Sequence, residues 1–155
     1  LEGRKEKFFE DLRPKILIID DSEMNRAILR EVLGEEFAVL EAANGEEGLE
    51  YLEEHEEDIS LVLLDIIMPV MDGFEVLRVM SEKNFLDNIP VIMISSEESE
   101  TYVKKAYEMG AMDYINRPFD AQVVYRRVFN TIKLYAKQRR LIALVTDQIK
   151  SELKK

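Results

Sequence analysis

Two stretches decide the fold: Lys15-Ile16-Leu17-Ile18-Ile19-Asp20-Asp21 and Ser60-Leu61-Val62-Leu63-Leu64-Asp65. Each is a short run, apolar at consecutive positions, that stops abruptly at carboxylates. Unbroken apolarity, as opposed to alternation, marks a strand covered on both faces, as in a parallel sheet. Between the two runs, Ser22 reads as an N-cap ahead of a helix through roughly Leu33, with Met24, Ile28, Leu29 and Val32 on its apolar side. Phe37 to Glu41 reads as a second strand, Asn44-Gly45 as a turn, and Glu46 to Glu54 as a short acidic helix whose leading glutamates suit the helix dipole.

Further along, Asp72-Gly73 opens a helix through about Ser81. Pro90 to Ser95 is a fourth strand, Ser99 to Met109 a fourth helix and Ala111 to Asn116 a fifth strand. Strands alternating with helices of this length predict an α/β fold with a five-stranded parallel sheet, because each right-handed crossover lays its helix on a sheet face. The economical winding is the doubly wound, flavodoxin-like order 2-1-3-4-5, closed by an extended C-terminal helix. That order makes the first and third strands neighbours and gathers ligands at the carboxyl ends of the strands, where the order reverses. Asp20, Asp21, Asp65, Ser95 and Arg117 are therefore expected on one edge.

The chain has 155 residues, 46% of them hydrophobic, which suffices for one well-buried core. A formal charge of −11 opposes binding to nucleic acid, which needs a basic face. The absence of cysteine removes disulfides and thiolate metal sites and fits a cytoplasmic setting. The apolar runs are far shorter than the roughly 20 residues that span a bilayer, so no membrane partner is expected. Residues 1–13, beginning Leu1-Glu2-Gly3 without Met, read as a polar leader with vector residues in front. Residues 14–134 read as the domain and 135–155 as a helical extension. From Asp120 to about Leu153 neither Gly nor Pro breaks a helix of roughly 50 Å, at about 1.5 Å per residue. Val128, Ile132, Tyr135, Ile142, Ile149 and Leu153 follow a heptad pattern interrupted by Arg139 and Thr146, favouring a connector to an output domain over a frayed, solvated tail.

Three carboxylates on one edge repel one another and raise each other's proton affinity unless a divalent cation belongs to the design. Oxygen-only ligands point to Mg²⁺, which keeps several waters and needs one or two protein carboxylates plus a phosphate oxygen.

Asp20-Asp21, Asp65 within Asp65-Ile66-Ile67-Met68-Pro69, Asp72-Gly73, Ser95-Ser96, and Tyr114 three before Arg117-Pro118-Phe119 together resemble the receiver domains of two-component response regulators, the CheY-like superfamily. The resemblance covers about Lys15 to Leu134. It implies that Asp65 is the phosphoacceptor, taking a phosphoryl group from a histidine kinase or phosphotransfer protein. It also implies Mg²⁺ held by Asp20, Asp21, Asp65 and the backbone carbonyl of Ile67. Ser95 would donate its hydroxyl to a phosphoryl oxygen, and its shift would let Tyr114 turn inward, moving the surface of the fourth helix and fifth strand. The module would assist its own phosphorylation and hydrolysis without being an enzyme in its own right. Ile67 and Glu97 border the site in the family, and the bond before Pro118 is expected to be cis. An output domain beyond the chain, by analogy a cyclic-dinucleotide enzyme, and a homodimer through the fourth or terminal helix are further expectations.

One station departs from the family: receivers usually carry Lys-Pro where this chain has Arg117-Pro118. Arginine is longer, planar and forked, so the exchange is not conservative at a tight site, although guanidinium suits phosphate geometry. The departure raises an alternative, a phosphorylation-independent pseudo-receiver acting as a protein-interaction scaffold. A haloacid-dehalogenase-type phosphohydrolase would want Asp-x-Asp after the first strand and a cap insertion. A dinucleotide-binding enzyme would want G-x-G-x-x-G there, and neither pattern is present. His55, among Glu53, Glu54, Glu56 and Glu57, reads as solvated. Met93, Met109 and Met112 read as core filler, and Met68 as support for the loop after Asp65.

Overall fold

The computed structural model describes residues 11–96 and 99–154. Five strands, β1 (Lys15–Ile19), β2 (Ala38–Ala42), β3 (Ile59–Leu64), β4 (Val91–Ser95) and β5 (Asp113–Asn116), alternate with five helices. The helices are α1 (Glu23–Leu33), α2 (Gly45–His55), α3 (Gly73–Glu82), α4 (Glu100–Glu108) and α5 (Ala121–Leu153). All strand pairs are parallel, in the order β2-β1-β3-β4-β5, as the two opening runs require.

Alternation within each run feeds two separate cores. Leu17, Ile19, Val62, Leu64 and Met93 face Leu52, Val76, Leu77, Met80 and Ala106 on one side of the sheet. Ile16, Ile18, Leu61, Leu63, Ile92 and Ile94 face Leu29, Leu33, Val124 and Val128 on the other. Each of the larger side chains among them, once withdrawn from water, stabilises the fold by about 1.5–3 kcal/mol. Every helix starts at a side-chain cap: Ser22, Asn44, Asp72, Ser99 and Asp120 each accept a backbone N–H from the first turn. A cap of this kind contributes about 1 kcal/mol and fixes where the chain leaves the strand edge.

Three expectations need correction. Met24 and Ile28 are 73% and 45% exposed, because the inward side of α1 runs through Asn25, Leu29 and Leu33, one position away from the apolar count. Met112 is also exposed, whereas Met93 is fully buried and Met109, half-buried, packs against the core. Asn44 is the cap of α2 rather than part of a free turn, its Oδ1 accepting the Glu47 N–H at 2.8 Å. The leader through residue 10 and Glu97 lie outside the described residues.

The terminal helix leaves the body of the domain. Val124 and Val128 are buried and Ile132 and Tyr135 half-buried, whereas every residue from Ala136 to Leu153 is exposed, Leu141, Ile142, Leu144, Val145 and Ile149 included. Among the described residues no helix is long and apolar enough to cross a membrane.

Candidate functional site

Asp20 and Asp65 each follow the last residue of a neighbouring strand, and backbone bonds hold them there. The Asp20 N–H donates to the Ala42 carbonyl at 3.1 Å, and the Asp65 N–H to the Ile19 carbonyl at 3.0 Å. Asp21 comes next on the same edge. One carboxylate oxygen from each of the three acids lies within 4.8 Å of the others. Asp20 and Asp65 are buried and Asp21 is exposed, so the cluster opens to solvent on one side. Hard oxygen donors this close together fit a small divalent cation such as Mg²⁺.

Burial pushes the Asp65 carboxyl up from 3.8 to about 6, and the charge of Asp20 adds to the effect. The Arg117 guanidinium and the backbone N–H of Ile67 oppose it, and Asp21 adds a smaller upward push. A carboxylate that is costly to keep charged gains most from a cation or from modification.

Arg117 reaches across the cluster from the end of β5. Its Nη2 donates to Asp20 Oδ2 at 2.6 Å, and its Nη1 stands 3.8 Å from Asp65 Oδ1. Its backbone N–H donates to the Ser95 carbonyl at 2.9 Å, and the bond to Pro118 is cis. Ser95, at the end of β4 beside β3, is fully buried. Tyr114 already occupies a buried position, in the core cluster with Met93, Phe74 and Ala106. Ile67 is exposed and Met68 buried, so the loop after Asp65 presents one side chain outward and anchors the next.

That loop is held by a close approach. The Gly73 N–H donates to the Ile66 carbonyl at 2.8 Å. A Cβ at Gly73 would stand 2.3 Å from the Asp65 carbonyl oxygen, so only glycine lets α3 start against the acidic residue. Val70, at the loop tip, has φ 68°, a conformation that a β-branched residue adopts only under local strain.

Sequence reasoning missed Arg26. Its Nη1 donates to the Asp20 carbonyl at 2.7 Å and its Nε lies 3.3 Å from Glu41 Oε1, tying α1 to the acidic edge and to β2. Its position four residues after the Ser22 cap, one helical turn along, was the available signal. His55 is exposed, 3.9 Å from both Glu54 and Asp58, as a solvated histidine should be.

Sheet order and site together define a doubly wound α/β protein with an acidic, cation-suited rim at its switch point. Residues 16–129 match the response regulator receiver domain family. The chain is 42% identical over 106 residues to the chemotaxis protein CheY of Halobacterium salinarum, covering 68% of this chain and 85% of that protein. It is 36% identical over 124 residues to the sensor histidine kinase CheAY of Helicobacter pylori, covering 79% of this chain and 15% of that protein. It is 34% identical over 113 residues to a probable cyclic di-GMP phosphodiesterase of Vibrio cholerae, covering 73% of this chain and 25% of that protein. Among solved structures, the CheX-CheY-BeF3-Mg+2 complex from Borrelia burgdorferi superposes with TM-score 0.69 at 36% identity, over 76% of this chain and 87% of that one. The chain belongs to the response regulator receiver domain family of two-component signalling.

Proposed function

We propose that this receiver is a phosphoacceptor: Asp65 takes a phosphoryl group from a histidine kinase or phosphotransfer protein in a Mg²⁺-dependent reaction and thereby switches the surface around α4 and β5. The observation that carries the reading is the meeting of the Asp20, Asp21 and Asp65 oxygens within 4.8 Å on the strand edge. A carboxylate oxygen of Asp65 attacks phosphorus, the P–N bond of the donor phosphohistidine breaks, and its electron pair returns to the imidazole. Asp21, Asp65, the Ile67 carbonyl and Asp20, the last partly through water, would hold Mg²⁺, which neutralises charge on the phosphoryl oxygens. Arg117 is placed to accept part of that charge. The Ser95 hydroxyl would donate to a phosphoryl oxygen. Tyr114, buried here, would follow Ser95 between inward and outward positions.

The same reading takes residues 14–134 as the signalling domain and the exposed stretch of α5 as a connector to an output domain. The relatives named above include a kinase and a phosphodiesterase several times longer than the aligned segment, which supports a module that serves larger proteins. It lends no support to direct nucleic-acid contact.

Incubation with acetyl phosphate and Mg²⁺ should add one phosphoryl mass to the intact chain. Asp65→Asn should abolish the adduct, and Arg117→Lys should form it faster. An unlabelled wild-type protein, under conditions that label ordinary receivers, would instead support a phosphorylation-independent scaffold.

A further inference from the structure

Arg117 does not simply lie against the phosphoacceptor. Its shortest contact is to Asp20, at 2.6 Å, while the Asp65 oxygen stands 3.8 Å away. The other oxygen of Asp20, Oδ1, accepts the Ser22 N–H at 2.9 Å. Protein donors thus engage both oxygens of a carboxylate that is 1% exposed and belongs to the acidic cluster. We infer that Arg117 is an internal competitor for the cation: its guanidinium and a divalent ion contend for Asp20, so Arg117 weakens metal binding and the metal releases Arg117 toward the phosphoryl position.

The inference rests on the Mg²⁺ reading above and adds a positioning role to it. Net charge does not forbid both cations, since three carboxylates outnumber one guanidinium. The contest is over a single oxygen. An ammonium would meet the cluster as a compact point charge, whereas the planar fork can hold Asp20 with one nitrogen while the other faces Asp65. The Nε is buried and, among the described residues, has no acceptor. The observed pose therefore leaves part of the guanidinium unsatisfied, and a phosphoryl group would offer it acceptors. Linkage makes the effect reciprocal: the factor by which Arg117 lowers metal affinity is the factor by which metal loosens the Arg117–Asp20 pair. Phosphorylation would then need a higher metal concentration than in a receiver whose basic side chain contacts the phosphoacceptor alone, because a competitor at a single site lowers the apparent affinity.

Calorimetric titration of Mg²⁺ into the full chain, Arg117→Lys and Arg117→Gln tests this without any phosphodonor. Both variants should bind on the order of tenfold more tightly than wild type, the usual scale of coupling between two sites. Arg117→Lys keeps the charge and loses the fork, so tightening in Arg117→Gln alone would reduce the effect to charge repulsion and overturn the inference. Equal or weaker affinity in Arg117→Lys overturns it as well. Thermal melts give a second readout: in chelator the wild type should outlast Arg117→Gln, with the gap closing at saturating Mg²⁺. A gap that persists in saturating Mg²⁺ counts against the competition. No Mg²⁺ binding by any of the three proteins would remove the metal reading itself, and the competition with it.

Discussion

Asp65 is buried, and burial makes the charged form of its carboxyl costly. Its carboxyl ordinarily titrates at 3.8 and in the folded protein at about 6, with burial and Asp20 as the leading causes. The folded chain therefore keeps a proton that the unfolded chain releases between those values, so stability falls as pH climbs through that window and the loss is complete above the folded value. Asp65→Asn escapes this cost. In chelator at about pH 7 the variant should be more stable by about 1 kcal/mol, a figure discounted for partial solvent access, and near pH 4 the advantage should vanish. Urea midpoints at the two pH values check it, and a destabilised variant at neutral pH would contradict it. The carboxylates were legible in the sequence because two apolar runs end in acids and Ser95 and Arg117 follow in order at the ends of later strands, where a single acidic strand end would have meant little. The partner chosen by Arg117 was not, since a fork that can reach either acid leaves the choice to the distances around it.

At the scale of elements, the contact between Gly73 and the Asp65 carbonyl joins the start of α3 to the end of β3. Gly73→Ala forces a methyl group against backbone atoms that cannot rotate away, at 2.3 Å from the Asp65 oxygen and 2.8 Å from the Ile66 Cα. The substitution should cost about 1–3 kcal/mol in urea unfolding, and it should slow labelling of Asp65 because the strand end shifts. Strands were the easiest elements to read, since burial on both faces demands apolar residues at every position. The inner face of α1 was harder. Where that helix borders the acidic edge its inward positions are Asn25 and Arg26, polar by requirement, so a count of apolar residues turned the helix by one position. Met112 failed for a related reason: it follows α4 in the turn to β5, outside the periodicity that places side chains in a core.

For the molecule as a whole, the last helix outruns the packed core. The family match stops at residue 129, while α5 continues to Leu153. Exposed residues such as Ile142 and Ile149 bury nothing against the sheet, so truncation after Arg140 should leave the unfolding free energy from urea titration unchanged to within about 0.5 kcal/mol. A larger loss would show that the extension supports the domain. The heptad pattern from Val128 to Leu153 was visible in the sequence, but the point at which the helix leaves the body depends on the width of the sheet. The uninterrupted rod has a mechanical consequence. A tilt of about 10° where Val128 rests on the sheet would sweep Leu153 sideways by roughly 6 Å, given a rise of about 1.5 Å per residue. A small tilt at the base of the helix thus becomes an oar-stroke of several ångströms at its far tip.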